Sequence, residues 1–134
     1  MNPKNTELLW KSFPNLYRGK DLPITQNLIS FGFECGDGWF QIIWDLSEAL
    51  EKEILSLPEE ERQHYYAMQV KEKYATLRYY LISGTDKMFQ LIQEAENKSE
   101  VTCELCGQPG KTRGYGWVYT ACDKHTNEQD LNIK

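Results

Sequence analysis

Cys103-Glu104-Leu105-Cys106 and, fifteen residues further on, Cys122-Asp123-Lys124-His125 place three of the four cysteines and one of the two histidines in a metal-ligand pattern. Two thiolates separated by two residues grip one side of an ion, because a tight turn brings both sulfurs to about 2.3 Å from it. The second pair closes a tetrahedral Cys3His set, the donor chemistry of zinc. Gly107 and Gly110, on either side of Pro109, permit the turn after the first pair. The same residues admit two other states, a cluster of reduced thiols or a Cys103–Cys106 disulfide. The start of the chain carries no charged-then-apolar leader and Cys35 lacks an evident partner, so an extracellular disulfide framework is not expected.

A set in which the protein supplies all four ligands leaves no open position for water, which a catalytic zinc normally keeps. The expected role of Zn2+ is therefore structural. A nucleobase deaminase would need H-x-E and a Pro before its C-x-x-C, whereas His64 is followed by Tyr65-Tyr66 and Cys103 is preceded by Thr102. A metal-dependent nuclease would need further ligands, and once His125 is used only His64 remains.

Around this set, residues 101–134 are expected to form a zinc-binding lobe: a knuckle at 103–106, short strands near Lys111–Arg113 and Trp117–Ala121, and a helix starting near Cys122. That order describes a treble-clef-like lobe. Tyr115-Gly116-Trp117 falls at the hairpin tip, where Trp117 is either an exposed contact or a lid packed over the ligands.

Residues 1–100 are expected to form an α+β core. Leu8, Leu9, Trp10 and Phe13 suit one or two helical turns before Pro14, and Asn27 to Cys35 reads as an irregular or extended approach. After the turn Gly36-Asp37-Gly38, Asp37 is placed to cap a helix over about 38–55. Its stripe is Trp39, Ile43, Leu46, Leu50 and Ile54, at spacings of 4, 3, 4 and 4. The pattern then changes to period two over about 65–82, which predicts a β-hairpin turning near Lys73-Tyr74-Ala75. Tyr66, Met68 and Val70 are expected on one side with Leu77, Tyr79 and Leu81, leaving Gln69, Lys71, Arg78 and Tyr80 on the opposite face. Thr85 then caps a second amphipathic helix over about 85–97, with Met88, Leu91, Ile92 and Ala95 inward. The fold class is α+β: amphipathic helices packed on a β-hairpin, with the zinc lobe at the C-terminal end.

The chain has 134 residues, 40% of them apolar, with four Trp, eight Tyr and five Phe, enough for one core and one small metal lobe. No apolar run approaches the roughly 20 residues of a membrane span, and unprotected thiols point to a cytoplasmic setting. The net charge of −5 repels a phosphate backbone at long range. Lys111, Arg113, Lys124 and Lys134 only balance Glu104, Asp123, Glu128 and Asp130, so the metal lobe is not a basic finger.

Three segments taken together, Glu34-Cys35-Gly36-Asp37-Gly38-Trp39, Gln69-Val70-Lys71-Glu72-Lys73-Tyr74-Ala75-Thr76-Leu77-Arg78-Tyr79-Tyr80 and the Cys103/Cys106/Cys122/His125 set, resemble a group of small zinc-binding proteins encoded by bacteriophages and prophages, most of them of unassigned function. The family pattern carries Gly where this chain has Ala75. The resemblance spans roughly residues 30 to 126 and implies a mobile-element origin and a bacterial cytosolic setting, with no reaction attached.

The leading expectation is a non-enzymatic interaction protein that engages or inhibits a host bacterial factor, such as a defence component. Glu48, Glu51, Glu53, Glu59, Glu60 and Glu61 offer carboxylates of the kind that mimic phosphates, although such a run more often makes a solvated face. A second reading is a nucleic-acid-binding module using Lys71, Lys73, Arg78 and Lys87 with Tyr79 or Tyr80. A third is a nucleotide-like ligand in a cleft lined by Asp37, Trp39, Arg78 and Asp86, with Arg78 holding an anion.

Overall fold

The computed structural model describes residues 1–131. Helix α1 (Pro3–Ser12) is capped by Asn2, whose side chain accepts from the Asn5 amide, with Pro3 in the first turn. Two 3-10 turns, Arg18–Asp21 and Ile29–Phe31, lead to the short strand β1 (Phe33–Glu34). A third 3-10 turn, Asp37–Trp39, runs into α2 (Phe40–Leu55). A fourth, Glu59–His64, connects to strands β2 (Ala67–Lys73) and β3 (Thr76–Leu81). Helix α3 (Asp86–Ser99) follows, capped by Thr85, whose hydroxyl accepts from the Met88 amide. Strands β4 (Lys111–Arg113) and β5 (Tyr119–Ala121) form a separate hairpin.

The predicted stripe is the centre of the core. Trp39, Ile43, Leu46, Leu50 and Ile54 are all buried, and α3 meets them with Met88, Ile92 and Ala95. Asp37, however, does not cap α2. The 3-10 turn absorbs the first turn and leaves Trp39 at the cap position with no side-chain cap. Asp37 reaches the other way, accepting from the Asn2 amide at 2.9 Å and from Asn5 Nδ2 at 3.2 Å.

The main sheet has three strands in the order β1-β2-β3, β1 parallel and β3 antiparallel to β2. The segment 27–35, irregular or extended by its sequence, contains the parallel strand β1, whose pairing with β2 the sequence does not indicate. The hairpin turns on Tyr74 and Ala75, between the paired residues Lys73 and Thr76. Both have positive φ, 53° and 68°, as a primed two-residue turn requires. The predicted face is corrected at its start. A bulge between Ala67 and Gln69 shifts the register, so Ala67 takes the buried position and Met68 sits half-buried. Beyond the bulge the faces divide as expected: Val70 pairs with Tyr79 inward, while Lys71 pairs with Arg78 and Gln69 with Tyr80 on the other face.

Both edges of the sheet are covered, which removes a template for unwanted pairing. On the β3 side, α3 supplies acceptors: the Leu77 amide donates to Ser99 Oγ at 2.9 Å and the Tyr79 amide to Glu96 Oε2 at 3.1 Å. On the β1 side, the Met1 amino group donates to the carbonyls of Phe33 and Cys35. Inside, a buried hydroxyl chain runs from Tyr79 to Tyr17 to Ser47 and ends on the Ile43 carbonyl. Burial lifts the Tyr17 phenol above its ordinary pKa, and the same cause raises Tyr79. No helix is long and apolar enough to cross a membrane among the described residues.

Candidate metal centre

The knuckle forms where the sequence places its turn. The Gly107 amide donates back to the Cys103 carbonyl at 2.9 Å, with Gly107 at φ 82°, and the Cys103 amide donates to the Gln108 carbonyl at 2.7 Å. The second pair is held by one backbone turn, the His125 amide donating to the Cys122 carbonyl at 3.1 Å. From β4, the buried guanidinium of Arg113 donates to the Ala121 carbonyl at 3.1 Å and to Asp123 Oδ1 at 2.7 Å. That bond fixes the segment between the two last ligands.

The four donor atoms of Cys103, Cys106, Cys122 and His125 lie within 4.8 Å of one another. Cys106 Sγ is 3.7 Å from Cys122 Sγ, and His125 Nδ1 is 3.2 Å from Cys122 Sγ and 3.6 Å from Cys103 Sγ. Tetrahedral ligands bound at about 2.3 Å for sulfur and 2.0 Å for nitrogen stand about 3.5 to 3.8 Å apart, so the spacing fits one metal ion. None of the four cysteines forms a disulfide.

Electrostatics favour the thiolate at Cys103 and Cys122 but not at Cys106, which the Gln108 amide lowers and which desolvation and the neighbouring Cys103 and Cys122 sulfurs raise on balance. For Cys103 burial opposes ionisation, yet the backbone amides of Cys122, Cys106 and Leu105 outweigh it and bring the thiol down to about 6. Burial likewise opposes Cys122, whose thiol is lowered by hydrogen bonds from His125 and Cys106. His125 is raised, first by its bond to Cys122 and then by that to Cys103. Cys103 is fully buried, whereas Cys106 and His125 face solvent.

The centre is joined to the rest of the chain through backbone that its motif does not reveal. The Gly38 amide donates to the Glu104 carbonyl at 2.7 Å, and the Gly36 amide to Glu104 Oε2 at 2.8 Å. The indole of Trp39 donates to the Thr102 carbonyl at 2.8 Å. The Thr120 hydroxyl donates to the Ala75 carbonyl at 2.5 Å, and the Glu104 amide to the Thr120 carbonyl at 3.1 Å. Gly36-Asp37-Gly38-Trp39 is thus the seat of the knuckle, a role absent from its reading as a turn and helix cap.

After His125 the chain departs from the expected lobe. No helix starts near Cys122. A turn covers 123–125, followed by a 3-10 turn at Glu128–Asp130. The Tyr119 hydroxyl accepts from the Asn127 amide and donates to Asp130, drawing the segment back onto β5. Residues 132–134 lie outside the described residues.

Of the other predicted contacts, Trp117 is 83% exposed, so it is no lid over the ligands. It lines a cleft of about 250 Å³ with Glu72, Lys73, Tyr74, Gly116 and Val118. Gln69, Lys71, Arg78 and Tyr80 share the outer face of the sheet. The set of Asp37, Trp39, Arg78 and Asp86 is not brought together: Trp39 is fully buried on Thr102, Asp37 serves α1, and Arg78 lies on the sheet face away from the core. The acidic run also divides, because Glu51 is buried and accepts from the Leu16 amide and Asn15 Nδ2, while Glu59, Glu60 and Glu61 stay exposed.

Fold and donor set define a small α+β protein with a Cys3His group placed to hold one metal ion. No protein-family model, no curated protein and no solved structure matches the chain.

Proposed function

We propose that this chain is a zinc-stabilised, non-enzymatic interaction protein of the phage type that docks on a host bacterial factor, with the hairpin tips as its contact surface. The observation that carries this reading is the exposure of three large aromatic residues at the tips: Tyr74 is 71%, Tyr115 82% and Trp117 83% exposed. Tyr74 and Trp117 come from different hairpins, 43 residues apart in sequence, yet line one cleft. Solvent-facing Trp and Tyr beside a concavity are the side chains that dominate binding energy when a partner covers them.

Zinc fits as the resident metal because three thiolates and one imidazole are its preferred donors, and four protein ligands suit a structural ion. Its part is to hold the β4–β5 hairpin, and with it Trp117, in place. The test is capture from a bacterial lysate by the tagged chain and by its Trp117→Ala and Tyr115→Ala variants. One host protein held near stoichiometrically by the wild type and lost by Trp117→Ala supports the reading. Equal recovery by all three removes the tips from the contact.

A further inference from the structure

Lys71 on β2 and Arg78 on β3 stand directly opposite one another on the face of the sheet that carries no core. Like charges in that position oppose strand pairing. Among the described residues the ion pairs are Lys20–Asp21 and Arg113–Asp123, so neither Lys71 nor Arg78 is neutralised by one. Arg78 Nε is also buried without an acceptor. The two carboxylates that flank this row are already engaged: Glu34, beside Lys71, accepts from Gln69 Nε2 at 3.2 Å, and Glu96 accepts from the Tyr79 amide. The next row on the same face pairs Gln69 with Tyr80, a ring 41% exposed. In the other direction Lys73 continues the cationic line.

An unneutralised cation pair with an aromatic ring about 7 Å along the strand fits a phosphate followed by a base. We infer that the outer face of the β2–β3 hairpin binds a single strand of nucleic acid, with Lys71 and Arg78 on a phosphate, Tyr80 stacked on a base and Gln69 beside that base's edge. A flat sheet face with an exposed ring suits unstacked bases, which a duplex does not offer. The net charge of −5 works against the contact at long range, so binding is weak and strongly salt-dependent. Lys71, Arg78, Gln69 and Tyr80 lie outside the Trp117 cleft, which shares only Lys73 with this cationic line, and the site does not depend on the docking of a host protein.

The test uses the zinc-loaded full chain and fluorescence anisotropy of labelled single strands of about 12 nucleotides at about 50 mM salt. Binding is expected to weaken steeply toward 200 mM, to fall about tenfold or more in Arg78→Glu, and to fall several-fold in Tyr80→Ala with the salt slope retained. Trp117→Ala is expected to bind as the wild type does, which separates this site from the proposed docking tips. A second readout guards against misfolding: Arg78→Glu places a carboxylate opposite Lys71, so its melting temperature is expected to equal or exceed that of the wild type. Absence of binding at 50 mM, undiminished binding by Arg78→Glu, equal affinity for a blunt duplex or for a free mononucleotide, or a lowered melting temperature of Arg78→Glu would each overturn the inference.

Discussion

The Gly38 amide donates to the Glu104 carbonyl at 2.7 Å, joining the turn before α2 to the first metal-binding knuckle. A side chain at Gly38 has no room: its Cβ would stand 2.2 Å from the Cys103 carbonyl oxygen and 2.5 Å from the Glu104 carbonyl carbon. Both obstacles are backbone and cannot swing aside. Gly38→Ala is expected to cost about 1 to 3 kcal/mol, the range of overpacking, and to loosen the metal centre. Chemical denaturation together with metal content after dialysis checks it; a variant as stable as the wild type would show that the knuckle is not seated there.

Removal of the metal reaches further than four ligands. Cys106→Ser, or a strong chelator, is expected to abolish stoichiometric metal and to strip amide-exchange protection from residues 101–131, because metal binding and folding of such a lobe are one equilibrium. Helix α2 and the β2–β3 hairpin keep their own apolar core and are expected to retain slow exchange. Stoichiometric zinc and full protection in Cys106→Ser would refute the ligand assignment.

The hairpin turn carries strain that a glycine would relieve. Tyr74 and Ala75 both hold positive φ, and a left-handed conformation costs a residue with a Cβ about 1 to 2 kcal/mol relative to glycine. Ala75→Gly is expected to stabilise the protein by about 1 kcal/mol and raise its melting temperature by a few degrees, part of the gain being lost to the freer unfolded chain. Scanning calorimetry of the two proteins decides it.

Ser99 closes the open edge of β3. It is fully buried and its hydroxyl is the acceptor for the Leu77 amide. Ser99→Ala leaves that buried amide without a partner and is expected to destabilise by about 1 to 3 kcal/mol. Ser99→Thr, which restores an acceptor, is expected to recover part of the loss if the hydroxyl, rather than the volume, is what matters.

Acid should weaken the bond between α1 and the knuckle seat. The Asn2 amide, and after it Asn5, hold the Asp37 carboxyl below its usual value. The folded state therefore binds that proton less readily than the unfolded chain, so the contribution to stability is present above the ordinary carboxylate range and disappears as pH falls through the lowered value. Asp37→Asn should be less stable than the wild type near neutrality, with the difference shrinking toward low pH. A gap that does not change with pH would assign the effect to packing instead.

Local spacing determined much of this protein. The period of Trp39, Ile43, Leu46, Leu50 and Ile54 specifies a helix and its buried face, because 3.6 residues per turn leave one stripe for the core. The Cys103/Cys106/Cys122/His125 spacing specifies a metal centre, since chelation by short turns is a local property of the chain. The alternation beyond Met68 specifies the hairpin and its two faces.

Tertiary structure decided the rest, and in each case the partner is distant in sequence. Strand β1 exists because Phe33 and Glu34 find Val70 and Lys71; two residues carry no period of their own. Asp37 has the composition of a helix cap, but Asn2 and Asn5 reach it first. Glu51 belongs to an acidic run by sequence and to the buried amide of Leu16 by structure. Gly36 and Gly38 are small because the backbone of Cys103 and Glu104 passes where a Cβ would stand. A sequence encodes such long-range hydrogen bonds only through the fold that brings the two groups together, whereas periodicity and ligand spacing are written in neighbouring residues.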